Sequence, residues 1–177
     1  MHVAKKLTII FSVLFCQNAF AHIVLEQKEA IAGEYYKATL KVSHGCSGSP
    51  TNTVTVYIPD GFRGAKPMVK AGWQIKVTKA KLIQPYTSHG RTVSEDTTEI
   101  TWSDGNLPSS YYDEFVVVGQ LPPTAGPMYW KVSQICEKGR QDWSQVPEGG
   151  KALQDYPFPA ALLNIVPMPS HGHDHQH

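Results

Sequence analysis

The residue with the most chemistry open to it is His22. It follows Ala19-Phe20-Ala21, whose two alanines have the spacing of an A-x-A cleavage site. Ahead of them run Lys5 and Lys6, an apolar stretch from Leu7 to Phe15, and the polar pair Gln17-Asn18. That order is a secretory signal peptide, with an apolar core too short to span a bilayer. We therefore expect residues 1–21 to be removed on export to the periplasm or beyond. No membrane anchor would remain, and His22 would become the first residue. A first-residue histidine offers an amine and an imidazole Nδ1 that close a six-membered chelate ring on one metal ion. Free α-amines titrate near ~8 and imidazoles near ~6.5, so both kinds of nitrogen become donors around neutral pH. Two nitrogens held roughly at right angles suit the tetragonal preference of Cu(II). The alternative is a histidine left at the cleavage point by chance.

Two further groups of residues can do chemistry. Cys16 leaves with the signal peptide, and bulky Phe15 before it makes a poor lipoprotein site, so lipidation is rejected. Cys46 and Cys136 remain, an even pair in an exported chain, which reads as one disulfide. In the chain-entropy picture, closing so long a loop contributes roughly 4–5 kcal/mol. Two thiolate ligands for Cu(I) are the competing reading. At the other end His171, His173, His175 and His177 alternate with Gly172, Asp174 and Gln176. Four imidazoles on a flexible chain would take Cu(II), Ni(II) or Zn(II) with little selectivity. The spacing is unlike the consecutive histidines of a purification tag; a solvated polar end with no role is the plain alternative.

What positions these groups must be a single domain. The 177 residues carry 16 basic and 15 acidic side chains; without Lys5 and Lys6 the balance is 14 to 15. Such a near-neutral chain has no basic patch for nucleic acid and no polybasic membrane anchor. No Ser-His-Asp constellation, phosphate loop or spaced carboxylate pair suggests hydrolysis or nucleotide use.

Short alternating runs fill the chain. His22 to Glu26 predicts a strand with His22, Val24 and Glu26 on one face. Tyr35 to Val42 predicts a second, with Tyr36, Ala38, Leu40 and Val42 toward the core. His44 to Pro50 is a glycine- and serine-rich loop, and Thr53 to Ile58 a β-branched strand. A basic loop around Lys66-Pro67 precedes a strand from Trp73 to Val77, and Lys79 to Arg91 reads as strand, then loop. Thr98 to Trp102 is short and alternating, and Leu107 to Tyr112 is a helical turn or open loop. Glu114 to Gly119 is apolar on both faces and should be central. Met128 to Cys136, a turn at Lys138-Gly139 and Gln141 to Trp143 form a hairpin. Trp73, Trp102 and Trp130 sit in strand patterns and belong to the core; His89, beside a glycine, belongs to the surface. From Pro147 onward recurring Pro and Gly predict an irregular tail, so the domain is expected to span residues 22–146. Many short strands without a long helix predict an all-β sandwich with one disulfide.

Ala21 to Ala30, Gly33 to Cys46, Val56 to Gly61, Lys66-Pro67 with Gly72-Trp73, and Gln134 to Gly139 leading to Trp143 together resemble the YcnI-like family of exported bacterial copper-binding domains. The resemblance runs from His22 to about Val146. It implies a cupredoxin- or immunoglobulin-like β-sandwich binding Cu(II) at a one-histidine brace. His22 would be the brace and Trp143 the tryptophan beside the metal. The family completes its site with a carboxylate from the loop after the second strand. Here that loop reads Ser43-His44-Gly45-Cys46-Ser47, with no acid. His44 is the natural substitute, since imidazole is also a good copper ligand; otherwise it is a loop hydrogen-bonder. Glu26, on the His22 face, is the fallback. Packing alone is the alternative for Trp143.

Three function classes follow. The first, which we take, is a non-enzymatic module that stores, buffers or hands over Cu(II) outside the cytoplasm, with other copper-trafficking proteins of the envelope as partners. The second is a copper-dependent oxidase of polysaccharide, which needs a second imidazole and an open substrate face. The third is a metal-free sandwich for adhesion or assembly.

Overall fold

The structure, a computed structural model, describes residues 22–169. Among the described residues eleven strands form two packed sheets. In chain order they are β1 (Val24–Leu25), β2 (Glu29–Ile31), β3 (Tyr35–Val42), β4 (Thr51–Tyr57), β5 (Arg63–Pro67), β6 (Gln74–Ser88), β7 (Arg91–Ser103), β8 (Asp113–Gln120), β9 (Gly126–Cys136), β10 (Arg140–Trp143) and β11 (Ala161–Val166). One sheet runs β1-β3-β8-β5; the other runs β2-β11-β9-β4-β7-β6, with β10 also on β9. The predicted all-β sandwich is what forms.

Period-two alternation builds the core. On β3 the side chains of Tyr36, Ala38, Leu40 and Val42 are buried, and β8 answers with Phe115 and Val117. From the opposite sheet come Val54, Val56, Ile100, Trp102, Trp130 and Val132. Trp73 and Trp102 meet the Phe115 ring edge-on at 5.0 and 5.5 Å, and Phe62 meets Trp130 at 4.9 Å. Each such large apolar side chain contributes about 1.5–3 kcal/mol through burial. The strand from Glu114 is central as expected, with β3 on one edge and β5 on the other.

Three segments differ from the sequence reading. The chain beyond Pro147 is not irregular throughout: Ala161–Val166 is β11, antiparallel to β9 and parallel to β2. Its alternating Ala161, Leu163 and Ile165 are buried, a pattern masked in the sequence by the prolines on either side. The basic segment around Lys66-Pro67 is the edge strand β5, which tolerates proline because its outer side needs no ladder hydrogen bond. Lys79 to Arg91 is not strand then loop but the far part of the β6–β7 hairpin, turned at His89-Gly90 with φ of 48° and 72°. Ile83 there is fully exposed. Most β6 side chains here are exposed and Leu82 and Tyr86 only half-buried, so this part of the hairpin shows no clean alternation.

Candidate metal centre

β1 and β3 pair antiparallel with Val24 opposite Lys41 and Leu25 opposite Leu40. Continued two residues outward, that register sets His22 opposite Ser43, beside His44. Strand pairing alone thus carries two residues that are 22 apart in sequence to the same place. On β1, Ile23 and Leu25 are buried, so His22 and Val24 share the other phase, as expected.

Trp143 supplies the ring that both imidazoles contact. It ends β10, opposite Val132 of β9, and is 2% exposed. The His22 imidazole stands 5.9 Å from the Trp143 ring and the His44 imidazole 6.0 Å, each edge-to-face at 68°. Phe158 meets the same indole at 5.6 Å. The Phe158 carbonyl accepts the N–H groups of Ser144 and Gln145, and its own N–H donates to Gln145 Oε1 at 2.8 Å. The segment after β10 therefore holds Phe158 against Trp143.

The loop carrying His44 is pinned from several sides. Cys46 and Cys136 form the expected disulfide, their Cα atoms 5.9 Å apart, which ties the loop to the end of β9. Cys46 N–H donates to Cys136 Sγ at 2.9 Å, and Gly45 N–H to Ser109 Oγ at 3.2 Å. Gly45 must be glycine, because a Cβ there would lie 1.7 Å from the Ser49 carbonyl oxygen. His44 Nδ1 is 2.8 Å from the Gly45 carbonyl oxygen. A carbonyl only accepts, so that contact places a proton on Nδ1. Metal-bound histidines characteristically make this contact through their other nitrogen.

Gln134, fully buried on β9, joins the parts. Its Oε1 accepts Trp143 Nε1–H at 3.1 Å, and its Nε2 donates to the His44 carbonyl and to Thr51 Oγ1, both at 2.7 Å. One amide thus fixes the indole and the His44 backbone together. This residue escaped the sequence reading, although the signal was present: Gln134 occupies the core phase of Met128, Trp130, Val132 and Cys136. A polar residue in such a phase must be hydrogen-bonded to something worth holding. Phe158 was missed as well, since it lay in the segment expected to be irregular.

The other candidates fall elsewhere or beyond view. Glu26 is exposed on the surface of the four-stranded sheet, 3.5 Å from Lys41 Nζ. Trp102 and Trp130 are fully buried and Trp73 packs on the core. The expected signal peptide and His171, His173, His175 and His177 lie outside the described residues. Among the described residues no three His, Cys, Asp or Glu side chains gather as a metal cluster. Two imidazoles stand against the same indole, and a chain starting at His22 would add its amine. That set of nitrogens fits copper. Beside His22, a cavity of about 150 Å³ is lined by Ile23, Leu25, Leu153, Pro159 and Ala160.

The sequence family described as a domain of unknown function, DUF1775, matches residues 22–165. The chain belongs to the DUF1775 family. The DUF1775 match opens at His22 and takes in His44, both bridged cysteines, Gln134, Trp143 and nearly all of β11. This DUF1775 chain is also similar to an uncharacterized protein from Nocardia farcinica whose crystal structure is described as revealing an immunoglobulin-like fold. The likeness has a TM-score of 0.61 at 20% identity and covers 81% of this chain and 97% of that one. At such identity it establishes the fold, an immunoglobulin-like sandwich. No curated protein matches significantly.

Proposed function

We propose that this DUF1775 protein is an exported copper-binding protein of the YcnI-like kind, which stores, buffers or hands over Cu(II) outside the cytoplasm. The observation that carries the reading is the pair of imidazoles, His22 and His44, set against the one buried indole of Trp143. Copper is cargo here. The His22 amine and Nδ1 would form the chelate, and His44 Nε2 would be the third protein donor. Trp143 supplies an apolar wall that excludes water from one side. Export is supported by the A-x-A site ahead of His22 and by the disulfide, which persists in oxidising compartments. Other copper-trafficking proteins of the envelope are the partners that such a role requires.

Adding one residue ahead of His22 tests this directly. The imidazole is retained, but the amine becomes a peptide nitrogen and the chelate is lost. In protein lacking residues 171–177, Cu(II) affinity and the electron paramagnetic resonance spectrum are compared for the native start, the extended form and His44→Ala. Both changes should weaken binding and alter the spectrum. An unaltered extended form removes the brace, and an unaltered His44→Ala sends the third donor to Glu26. Absence of Cu(II) binding altogether would leave the metal-free sandwich module, and release of oxidised oligosaccharide with a reductant would establish the oxidase.

A further inference from the structure

We propose that the cleft beside the start of β9 is a saccharide-binding site, with Tyr57 and Tyr129 as its stacking rings. The cleft has a volume of about 810 Å³, within the range of sites that take small ligands. It lies toward Gly126, at the opposite end of β9 from the disulfide, and His22, His44 and Trp143 are not among its lining residues. Saccharide binding there neither needs nor excludes copper.

Period-two alternation puts the rings in place. Val54 and Val56 of β4 face the core, so Tyr57 faces outward; Met128 and Trp130 of β9 do the same for Tyr129. Tyr57 stands opposite Lys131, and Tyr129 is the next outward residue along β9. The two tyrosines are thus a diagonal cross-strand pair, ~7–8 Å apart. Tyr57 is 38% exposed. Asp142 first, and the Tyr57 hydroxyl after it, push the Arg140 guanidinium above its usual range. Arg140 lies opposite Ile135, further along the same face, so the Tyr57 ring leans along the sheet. In that pose the polar tip is occupied and the apolar body of the ring is open to a ligand.

Two crossings between the sheets make the walls. One follows β4 through Ile58 to Gly61, and the other leads from Pro122 into β9. Gly61, at φ 85°, lets the walls meet, since a Cβ there would lie 3.3 Å from Pro122 Cβ. Ile58 N–H donates to the Thr98 carbonyl and Gly33 N–H to the Pro122 carbonyl, both at 2.9 Å. The cleft is therefore set before a ligand arrives, which spares the cost of ordering it.

Asp60, Thr124 and Lys131 bring polar groups to the rings. Among the described residues neither Asp60 nor Lys131 is in an ion pair. A pyranose has an apolar C–H face and a belt of hydroxyls around it. The face suits the tyrosine rings. The hydroxyls donate to the Asp60 carboxylate and accept from the Lys131 ammonium, in charge-assisted bonds stronger than neutral ones. One acid against one base leaves the cleft without net charge, which fits an uncharged ligand better than a polyanion. A peptide adding as a strand finds no edge here: β4 is paired with β7 and β9, and β9 with β4 and β11.

The test uses the metal-free protein from His22 to His177, with cellohexaose, chitohexaose and maltohexaose as probes. Calorimetry should show one equivalent of at least one of them bound. Amide resonances that move on binding should gather at Tyr57, Asp60, Thr124, Tyr129 and Lys131. Tyr57→Ala and Tyr129→Ala should each weaken binding roughly tenfold, while Tyr57→Phe should keep most of it. Failure of every hexaose to bind overturns the proposal. So do resonance changes that gather elsewhere, a result that needs no variant. Full affinity in a folded double variant, Tyr57→Ala with Tyr129→Ala, overturns it as well. A proline-rich peptide that fills the cleft where the hexaoses do not would make it a peptide groove instead.

Discussion

Gln134 accepts the indole N–H of Trp143 at 3.1 Å in a fully buried setting. Through its other end it holds the His44 carbonyl at 2.7 Å, so the floor of the centre and one of its walls share a single amide. Gln134→Leu keeps the volume roughly but leaves the Trp143 N–H and the His44 carbonyl without this partner. Stranding such buried groups should cost about 2–3 kcal/mol in urea denaturation. Copper affinity should fall about 10–100-fold, the usual effect of losing a group that orients a ligand. Tryptophan fluorescence should shift in the metal-free variant, since Trp143 is released.

The disulfide anchors the His44 loop to β9. Thiol titration of unfolded, unreduced mature protein should find no free cysteine. Replacing Cys46 and Cys136 together by serine should cost about 2–5 kcal/mol. It should also weaken copper binding, because the loop then pivots on Gly45. Full copper affinity in a destabilised variant would show that the other contacts suffice to place His44.

Mass spectrometry of protein recovered from the cell envelope should give a chain beginning at His22. Any other start removes the amine and with it the chelate.

Deleting residues 171–177 should lower the number of copper ions bound but leave the tightest site in place. Loss of the tightest site with the tail would move the principal centre there.

Alkali offers a probe of the fold itself. Burial, together with the nearby Glu26 charge, pushes the Tyr36 hydroxyl up to about 12, and this hydroxyl donates to the Gln27 carbonyl. An unfolded tyrosine ionises near ~10. The native state therefore favours the protonated form: its contribution is complete below pH 10 and is lost as pH rises from about 10 to 12. Tyr86, bonded to Asp96, is raised to about 12 as well, chiefly by burial. Tyr36→Phe should cost about 1 kcal/mol at neutral pH and reduce the alkaline loss, measured as denaturation midpoints across that range.

How much was legible depended on whether a pattern had one cause. The Tyr35–Val42 strand has one buried face and could be read residue by residue. β11 could not, because Pro157, Pro159, Pro167 and Pro169 surround six residues whose burial depends on β9 lying alongside. The far half of the β6–β7 hairpin keeps only scattered half-buried side chains such as Leu82 and Tyr86, so its sequence obeys no clear period. His22, His44 and Trp143 were named from residue type and resemblance, yet the contact of both imidazoles with that indole comes from the β1–β3 register and the β9–β10 turn. Gln134 escaped because a sequence records which face a polar residue occupies and not what it is bonded to there.

The pairing of β2 with β11 has a consequence for how the protein comes into being. Glu29 lies opposite Asn164 and Ile31 opposite Val166, and β2 reaches the larger sheet through β11. The first part of the sandwich thus waits for nearly the last. A chain still emerging from the ribosome, or threading through a translocation channel, lacks that closing strand until residue 166 is free. Contacts so distant in sequence also form slowly. On the proposed export, the translocation machinery would meet an open polypeptide, and the sandwich would close only on the far side.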